Sequence, residues 1–239
     1  MMNQLTDKVA LLTGATGGIG KHIANALKDK GVRLLLTDVD DNLLKKAYGE
    51  WNDCVCIASD LTKEREPQRV IAQCKKNYGN LDILINAIGI GSRQSVLEAD
   101  RNVFFKHIEI NAWIPVAMCQ AAIPLLLESD AGEIISISSS AGVNPYVGQA
   151  CYSASKHTLN ALMRILTMEL HDTGVRVHTI APTGVDTELI RITRPDLEGD
   201  AYCKPEEIAE IIIFILTHRN NSVIDEVNIR RHAKPPFEL

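Results

Sequence analysis

Short apolar runs alternate along this chain with longer stretches in which apolar residues recur every three or four positions. Val9 to Leu12, Arg33 to Thr37, Cys54 to Ala58 and the run from Glu133 through Ile137 into the hydroxyls ending at Ser140 are apolar enough to predict buried strands. A further strand precedes Asn86, Val175 to Ile180 supplies a sixth, and Val223 to Arg230 alternates well enough for a seventh. Between them, Lys21 to Lys30, Leu43 to Glu50, Glu64 to Tyr78, Asn102 to Leu127, Cys151 to Asp172 and Pro205 to His218 read as helices. Alternation of this kind predicts an α/β fold, a doubly wound parallel sheet of about seven strands covered by helices on both faces. Nothing in 239 residues breaks in composition or repeats, so a single domain is expected across 1–239, with a loop near 188–204 and a C-terminal tail at 231–239.

The connection after the first strand, Thr13-Gly14-Ala-Thr16-Gly17-Gly18-Ile19-Gly20, is strand, glycine turn and helix in succession. Glycines let a backbone turn tightly against a pyrophosphate, and the free N–H groups at a helix start favour the anion. The second strand ends at Asp38, whose carboxylate can accept hydrogen bonds from both ribose hydroxyls of an adenosine and would repel a 2′-phosphate. That residue points to NAD rather than NADP. The competing reading makes Asp38 a cap for the helix starting near Asp41.

Tyr152-Ser-Ala-Ser-Lys156 sets a phenol and an ammonium on one helical face. Taken alone it could be an exposed surface pair. Lowering a phenol by about three pKa units takes on the order of 4 kcal/mol of preference for the phenolate, part of which a neighbouring lysine can supply. Ser139, at the hydroxyl-bearing strand end, is placed to meet this helix.

With glycines at 14, 18 and 20, then Ser139, Tyr152 and Lys156, the chain resembles the short-chain dehydrogenase/reductase family in its compact form, over nearly its whole length. The resemblance implies a Rossmann-like fold. It implies Asn111, within Glu109-Ile-Asn-Ala112, as the fourth member of a catalytic set, fixing a water that relays protons from Lys156. It implies Asp60 and Leu61 beside the adenine ring, and Asn86 and Gly89 bordering the cofactor. Pro182, Val185 and Thr187 are implied at the nicotinamide carboxamide, with Val185 acting through its backbone. Three departures stand out: Asn86-Ala87-Ile88-Gly89 keeps only the first asparagine and the glycine of the family's Asn-Asn-Ala-Gly; Thr183 precedes Gly184 where glycine usually follows Pro182 directly; and Val223 to Arg230 replaces the usual glycine-containing ending.

A net charge of −5 with no dense basic cluster argues against nucleic acid. Met1 to Lys8 is too short and polar for a signal peptide, and Ile211 to Leu216 is far below spanning length, so no membrane partner and a cytoplasmic location are expected. Six cysteines without a Cys-x-x-Cys pair read as small buried hydrophobes, with no metal site expected, and the histidines, His157 included, are not needed for the chemistry. The expected activity is NAD-dependent interconversion of a secondary alcohol and a ketone, with Tyr152 as general acid/base, Ser139 as oxyanion donor, and Lys156 both lowering the Tyr152 pKa and holding the nicotinamide ribose. NADPH-dependent 3-oxoacyl-[acyl-carrier-protein] reduction is the alternative, and a non-catalytic cofactor-binding protein a further one. A small carbonyl or alcohol substrate is expected, walled by Ile90 to Val96, Val143 to Gln149 and 188–204, where a solvated, charge-balanced lid is favoured over an anion-binding one. Apolar residues in the long helices, Trp113 and Met118 among them, predict a homo-oligomer, in the family a dimer or tetramer.

Overall fold

The computed structural model describes residues 4–197 and 202–236, so the centre of the 188–204 loop and the last residues of the tail lie outside the described residues. Seven strands, β1 (Val9–Thr13), β2 (Arg33–Asp38), β3 (Cys54–Ala58), β4 (Ile83–Asn86), β5 (Glu133–Ile137), β6 (Arg176–Pro182) and β7 (Glu226–Ile229), form one sheet in the order β3-β2-β1-β4-β5-β6-β7. Every pairing is parallel. Connecting them are α1 (Gly20–Asp29), α2 (Asp41–Tyr48), α3 (Glu66–Tyr78), α4 (Arg101–Ile108), α5 (Ile114–Leu126), α6 (Ala150–Glu169), α7 (Glu188–Thr193) and α8 (Pro205–Thr217).

Successive strand residues point to opposite faces, and both faces are apolar. Leu12, Leu34, Leu36, Ile83 and Ile85 pack with Ile23 and Leu27 of α1 and Ile208 and Ile212 of α8. Leu11, Leu35 and Leu84 pack on the other side with Val70 and Cys74 of α3, Met118 of α5 and Leu159 and Met163 of α6. A polar row crosses the sheet near its carboxyl end: Thr37, Thr13, Asn86, Ser136 and Thr179 stand in register across five strands. At that row β1 and β4 end while β5 and β6 run on, and between β1 and β4 the direction of travel across the sheet reverses, which opens a crevice at the carboxyl ends.

Three elements differ from the sequence expectation. The helix expected over 102–127 is interrupted by a π-turn at Glu109–Trp113. The last strand is shorter than Val223 to Arg230, because the Ile224 carbonyl faces the His178 ring (2.6 Å) instead of the sheet. Residues 188–193, expected only as loop, form α7. The run Arg101–Leu126 is long and apolar enough to cross a membrane, but half of its most apolar window is buried, and α5 lies against α3, β4 and β5.

Candidate active site

A cavity of about 750 Å³ opens at the carboxyl ends of the strands, lined by the glycine turn, by Ala87–Gly89, by the end of β5 and by the segment following β6. Gly14 turns the chain with φ +65°, and a Cβ there would lie 2.8 Å from the Ala87 carbonyl oxygen, so the turn sits directly on the loop after β4. The buried Tyr48 hydroxyl of α2 donates to the Ala15 carbonyl (2.5 Å) and braces the same turn. Thr16, Gly17, Gly18, Ile19 and Gly20 line the cavity. The N–H groups of Gly18 and Ile19 have no acceptor among the described residues, which suits them to an anion at the start of α1.

Asp38 closes the far side of this turn, outside the residues that line the cavity. Its Oδ2 accepts from the Thr16 amide (2.9 Å) and hydroxyl (2.7 Å), and its Oδ1 from the Val39 amide (2.8 Å). It is not a helix cap. Asp40 caps α2, accepting from the amides of Asn42 and Leu43. Asp38 forms no ion pair among the described residues, so its negative charge remains uncompensated at the carboxyl end of β2.

Asp60 and Leu61 follow β3 but lie outside the cavity. Leu61 is buried in the core, and the Asp60 carboxylate accepts from the Thr62 hydroxyl (2.6 Å) and amide (3.1 Å), contacts that hold its pKa below the ordinary carboxylate range. Asn86 is also set back from the cavity, donating to Ser136 Oγ (3.3 Å) across the sheet. Its first-order role is to join β4 to β5.

Ser139, Tyr152 and Lys156 line one wall of the cavity. Lys156 is buried one helical turn beyond Tyr152 and donates to the Ile137 carbonyl (2.9 Å). Burial pushes its pKa down to about 8. Burial also raises the Tyr152 pKa, with the Ser139 hydrogen bond pulling in the opposite direction. This differs from the expectation that Lys156 lowers it. Lys156 is not among the groups that shift the phenol here: one of its three N–H donors is on the Ile137 carbonyl, and desolvation of the phenol prevails. Ser139 is held by its own turn, accepting from the Ala141 amide (3.1 Å). That turn is pinned to α6 by Asn160, which accepts from Ser138 Oγ (2.5 Å) and donates to the Gly142 carbonyl (2.8 Å).

Gly89 brings the remaining residues together, since a Cβ there would stand 3.4 Å from Asn111 Oδ1 and 3.5 Å from Lys156 Nζ. Asn111 sits in the π-turn, a feature that often marks functional sites. Its amide donates to the Ile90 carbonyl (2.9 Å) and Ser155 Oγ (2.9 Å), and its Oδ1 accepts from the Ile90 amide (2.8 Å). The side chain therefore anchors the loop after β4 to α6, and one Oδ1 lone pair is left for the water assigned to it by the resemblance.

On the opposite side, Pro182, Val185 and Thr187 line the cavity. The displaced glycine has a structural reason: Thr183 still donates to Ile229 of β7 (2.9 Å), and the left-handed residue comes one place later, at Gly184 (φ +56°). Val185 bridges to Cys203 through the peptides on either side of it, which leaves its own N–H turned away from that pairing. Thr187 lies over Gly18, where an added Cβ would meet the threonine methyl at 2.5 Å. The wall before α4 is Ala87–Gly89 rather than 90–96. The lid arginines are partnered, Arg191 with Asp186 (2.9 Å) and Arg194 with Asp196 (2.8 Å).

Four cysteines are buried, but Cys54 is half-buried and Cys56 exposed on the edge strand, their sulfurs 3.9 Å apart, so burial does not describe all six. His157 faces the Ser153 carbonyl within its own helix (2.9 Å). The sequence reading missed Tyr48 and Asn160, whose hydroxyl and amide act on backbone groups that no motif specifies.

Residues 8–198 match the family described as short chain dehydrogenase. The chain belongs to that family. An uncharacterised oxidoreductase of Staphylococcus saprophyticus is 33% identical over 234 residues, covering 96% of this chain and 99% of that relative. One from Staphylococcus aureus is 30% identical over 231 residues with the same coverage. Among solved structures, the alcohol dehydrogenase of the archaeon Thermococcus sibiricus, complexed with 5-hydroxy-NADP, superposes with TM-score 0.86 at 25% identity, covering 96% of this chain and 98% of that one. A 3-ketoacyl-(acyl-carrier-protein) reductase from Brucella melitensis complexed with NADH shares the fold, with TM-score 0.86 at 24% identity over 94% of this chain and 96% of that one. As a short-chain dehydrogenase the chain is an NAD(P)-dependent oxidoreductase acting on CH–OH groups.

Proposed function

We propose that this short-chain dehydrogenase uses NAD(H) to interconvert a secondary alcohol and a ketone, with residues 1–239 acting as one dinucleotide-binding and catalytic domain. The observation that carries the reading is the convergence of Ser139, Tyr152 and Lys156 on a cavity whose other wall is the glycine turn, with an unneutralised Asp38 hydrogen-bonded to Thr16 behind that turn. The residues fit the cofactor: free amides at Gly18 and Ile19 suit a pyrophosphate, and the Val185 N–H suits a carboxamide. A 2′-phosphate would bring two or so negative charges against Asp38 with no cation paired to it.

The nicotinamide supplies or accepts the hydride. In the reducing direction negative charge develops on the carbonyl oxygen, and the Tyr152 proton passes to it. Ser139 donates a hydrogen bond to the same oxygen, an interaction worth roughly 3 kcal/mol when aimed at developing charge. Lys156, still largely protonated at neutral pH, keeps two N–H donors beyond the one on Ile137, which would stabilise the phenolate left behind and hold the nicotinamide ribose. Oxidation runs the same steps backwards, with the phenolate taking the alcohol proton. Asn111 holds the loop after β4 in place beside Lys156.

The alcohol dehydrogenase neighbour supports alcohol–ketone chemistry, and its NADP-type ligand defines the competing cofactor. Separate titrations with NADH and NADPH, read by tryptophan fluorescence or heat, test the assignment. Binding of NADH at least tenfold tighter is expected; a preference for NADPH overturns the role given to Asp38 and moves the reading to an NADPH-dependent acyl reductase.

A further inference from the structure

The substrate end of the cavity holds a second phenol, Tyr146, which lines the wall after β5. Its hydroxyl is held between Ser140 Oγ (3.3 Å) and the ammonium of Lys234 (2.8 Å), which also lies 5.0 Å from the centre of the Tyr146 ring. Lys234 comes from the tail beyond β7, and the tail turn that presents it is organised: the Arg230 guanidinium gathers the carbonyls of Arg231, His232 and Lys234. Arg231 leans on the other flank, where a Cβ at Gly184 would meet its Cδ at 3.4 Å. The tail thus touches the segments after both β5 and β6, the two sides of the substrate compartment.

Charge distinguishes Lys234 from the lid arginines. Arg191 and Arg194 are matched by Asp186 and Asp196, and Arg93 also reaches Asp196 (3.5 Å), whereas Lys234 makes no ion pair among the described residues. An ammonium has three N–H donors, and Tyr146 occupies one of them. The phenol registers the local field: burial alone would raise the Tyr146 pKa, but hydrogen bonds with Lys234 and Ser140, helped by the charges of Lys234 and Arg194, bring it below its ordinary value.

We propose that Lys234, positioned by Tyr146, forms an anion-recognising subsite, so that the favoured substrate of the alcohol–ketone reaction is a carboxylate-bearing oxo acid or hydroxy acid. The proposal rests on the proposed function and adds the substrate class to it. Lys234 acts as a specificity determinant, outside the proton transfer performed at Tyr152.

The test compares 2-, 3- and 4-oxo acids with their methyl esters as substrates for reduction by NADH, using the wild type, Lys234→Met, Lys234→Arg and Tyr146→Phe. The wild type is expected to prefer at least one acid to its ester by tenfold or more. Lys234→Met should lower kcat/KM for that acid about 10- to 100-fold, chiefly through KM, the range expected for a lost charge-assisted hydrogen bond. The ester should change by less than about twofold, NADH affinity should be unaltered, and Lys234→Arg should restore most of the acid activity. Equal losses on acid and ester would mean that Lys234 only props the tail, and would overturn the subsite. Neutral ketones reduced well with no acid preference in the wild type would also overturn it while leaving the alcohol–ketone reading intact; no reduction of any member despite NADH binding would overturn both. Should Lys234→Met fail to fold, the wild type decides the matter: KM for the acid must rise with ionic strength while that for the ester does not, and parallel behaviour counts against the subsite.

Discussion

The two ends of the same sheet hold similar materials and put them to opposite uses. At the amino ends, Glu133 of β5 accepts from Arg219 (2.5 Å) and faces His178 of β6 (2.8 Å), while the other nitrogen of that ring faces the Ile224 carbonyl (2.6 Å). Beside them Asp82 accepts from the Val9 amide, Lys8, Asn80 and Ser129. A cavity of about 360 Å³ lies there too, walled by Lys8, Glu133, Arg176 and Arg219. At the carboxyl ends titratable groups are also plentiful, Lys156, Arg191 and Arg194 among them, yet Ser139, Tyr152 and the amides of Gly18 and Ile19 face open space. A hollow with charged walls is common to both. What separates the binding end from the structural end is unspent hydrogen-bonding capacity, since a group already saturated by protein partners has nothing to offer a ligand.

The contrast is tested most severely at Tyr152. Tyr152→Phe should lower turnover by about 10²- to 10⁴-fold while NADH affinity measured by calorimetry stays within about twofold of wild type. At the other end, Glu133→Ala should destabilise the protein by about 3–5 kcal/mol in urea unfolding, because Arg219 and His178 lose the buried carboxylate between them. Its kcat/KM under folded conditions should be unchanged; a turnover defect larger than the stability defect would erase the distinction between the ends.

Lys156 belongs to the working end and should be costly to stability. Its pKa, about 8 when folded, lies below the value near 10.5 of the unfolded chain. Between these values the unfolded state holds a proton that the folded state lacks, so stability gains with rising pH through that window and the full penalty applies below it. The shift corresponds to about 3 kcal/mol, and the difference between wild-type and Lys156→Met unfolding free energies should move by that order from pH 8 to 10.5. A flat difference curve would show that the ammonium is fully compensated by the Ile137 carbonyl. The smallest effect is expected at Asp38: Asp38→Asn should narrow the preference for NADH over NADPH by about tenfold, roughly 1.4 kcal/mol, because it removes charge while keeping acceptor capacity toward Thr16.

Periodicity made the strands and most helices legible, because both faces of a parallel sheet demand uninterrupted apolar runs such as Leu34-Leu35-Leu36. The glycine turn was legible because steric necessity at Gly14 leaves the sequence little choice. Whether Asp38 caps α2 was left open; Asp40 takes that role, accepting from Asn42 and Leu43, while Asp38 turns to Thr16. The π-turn around Asn111 was hidden because inserting one residue into a helical ring barely disturbs an apolar pattern. Spacing places a lysine near Tyr152 but does not show how deeply the phenol is buried, and it is burial that pushes the Tyr152 pKa up. Lys234 and the Glu133–His178–Arg219 cluster escaped notice because their partners are far away in sequence and belong to no motif.

The strand order also bears on how the molecule is made. Every strand after β1 is synthesised later than one of its neighbours, and from β4 onward each joins the same growing edge. The nascent sheet can therefore widen one strand at a time as the polypeptide emerges, without a hydrophobic strand waiting for a partner not yet translated. The strand β7 and the tail that reaches back to Tyr146 emerge after the other six strands, so the scaffold is made before the wall that the tail adds beside Tyr146.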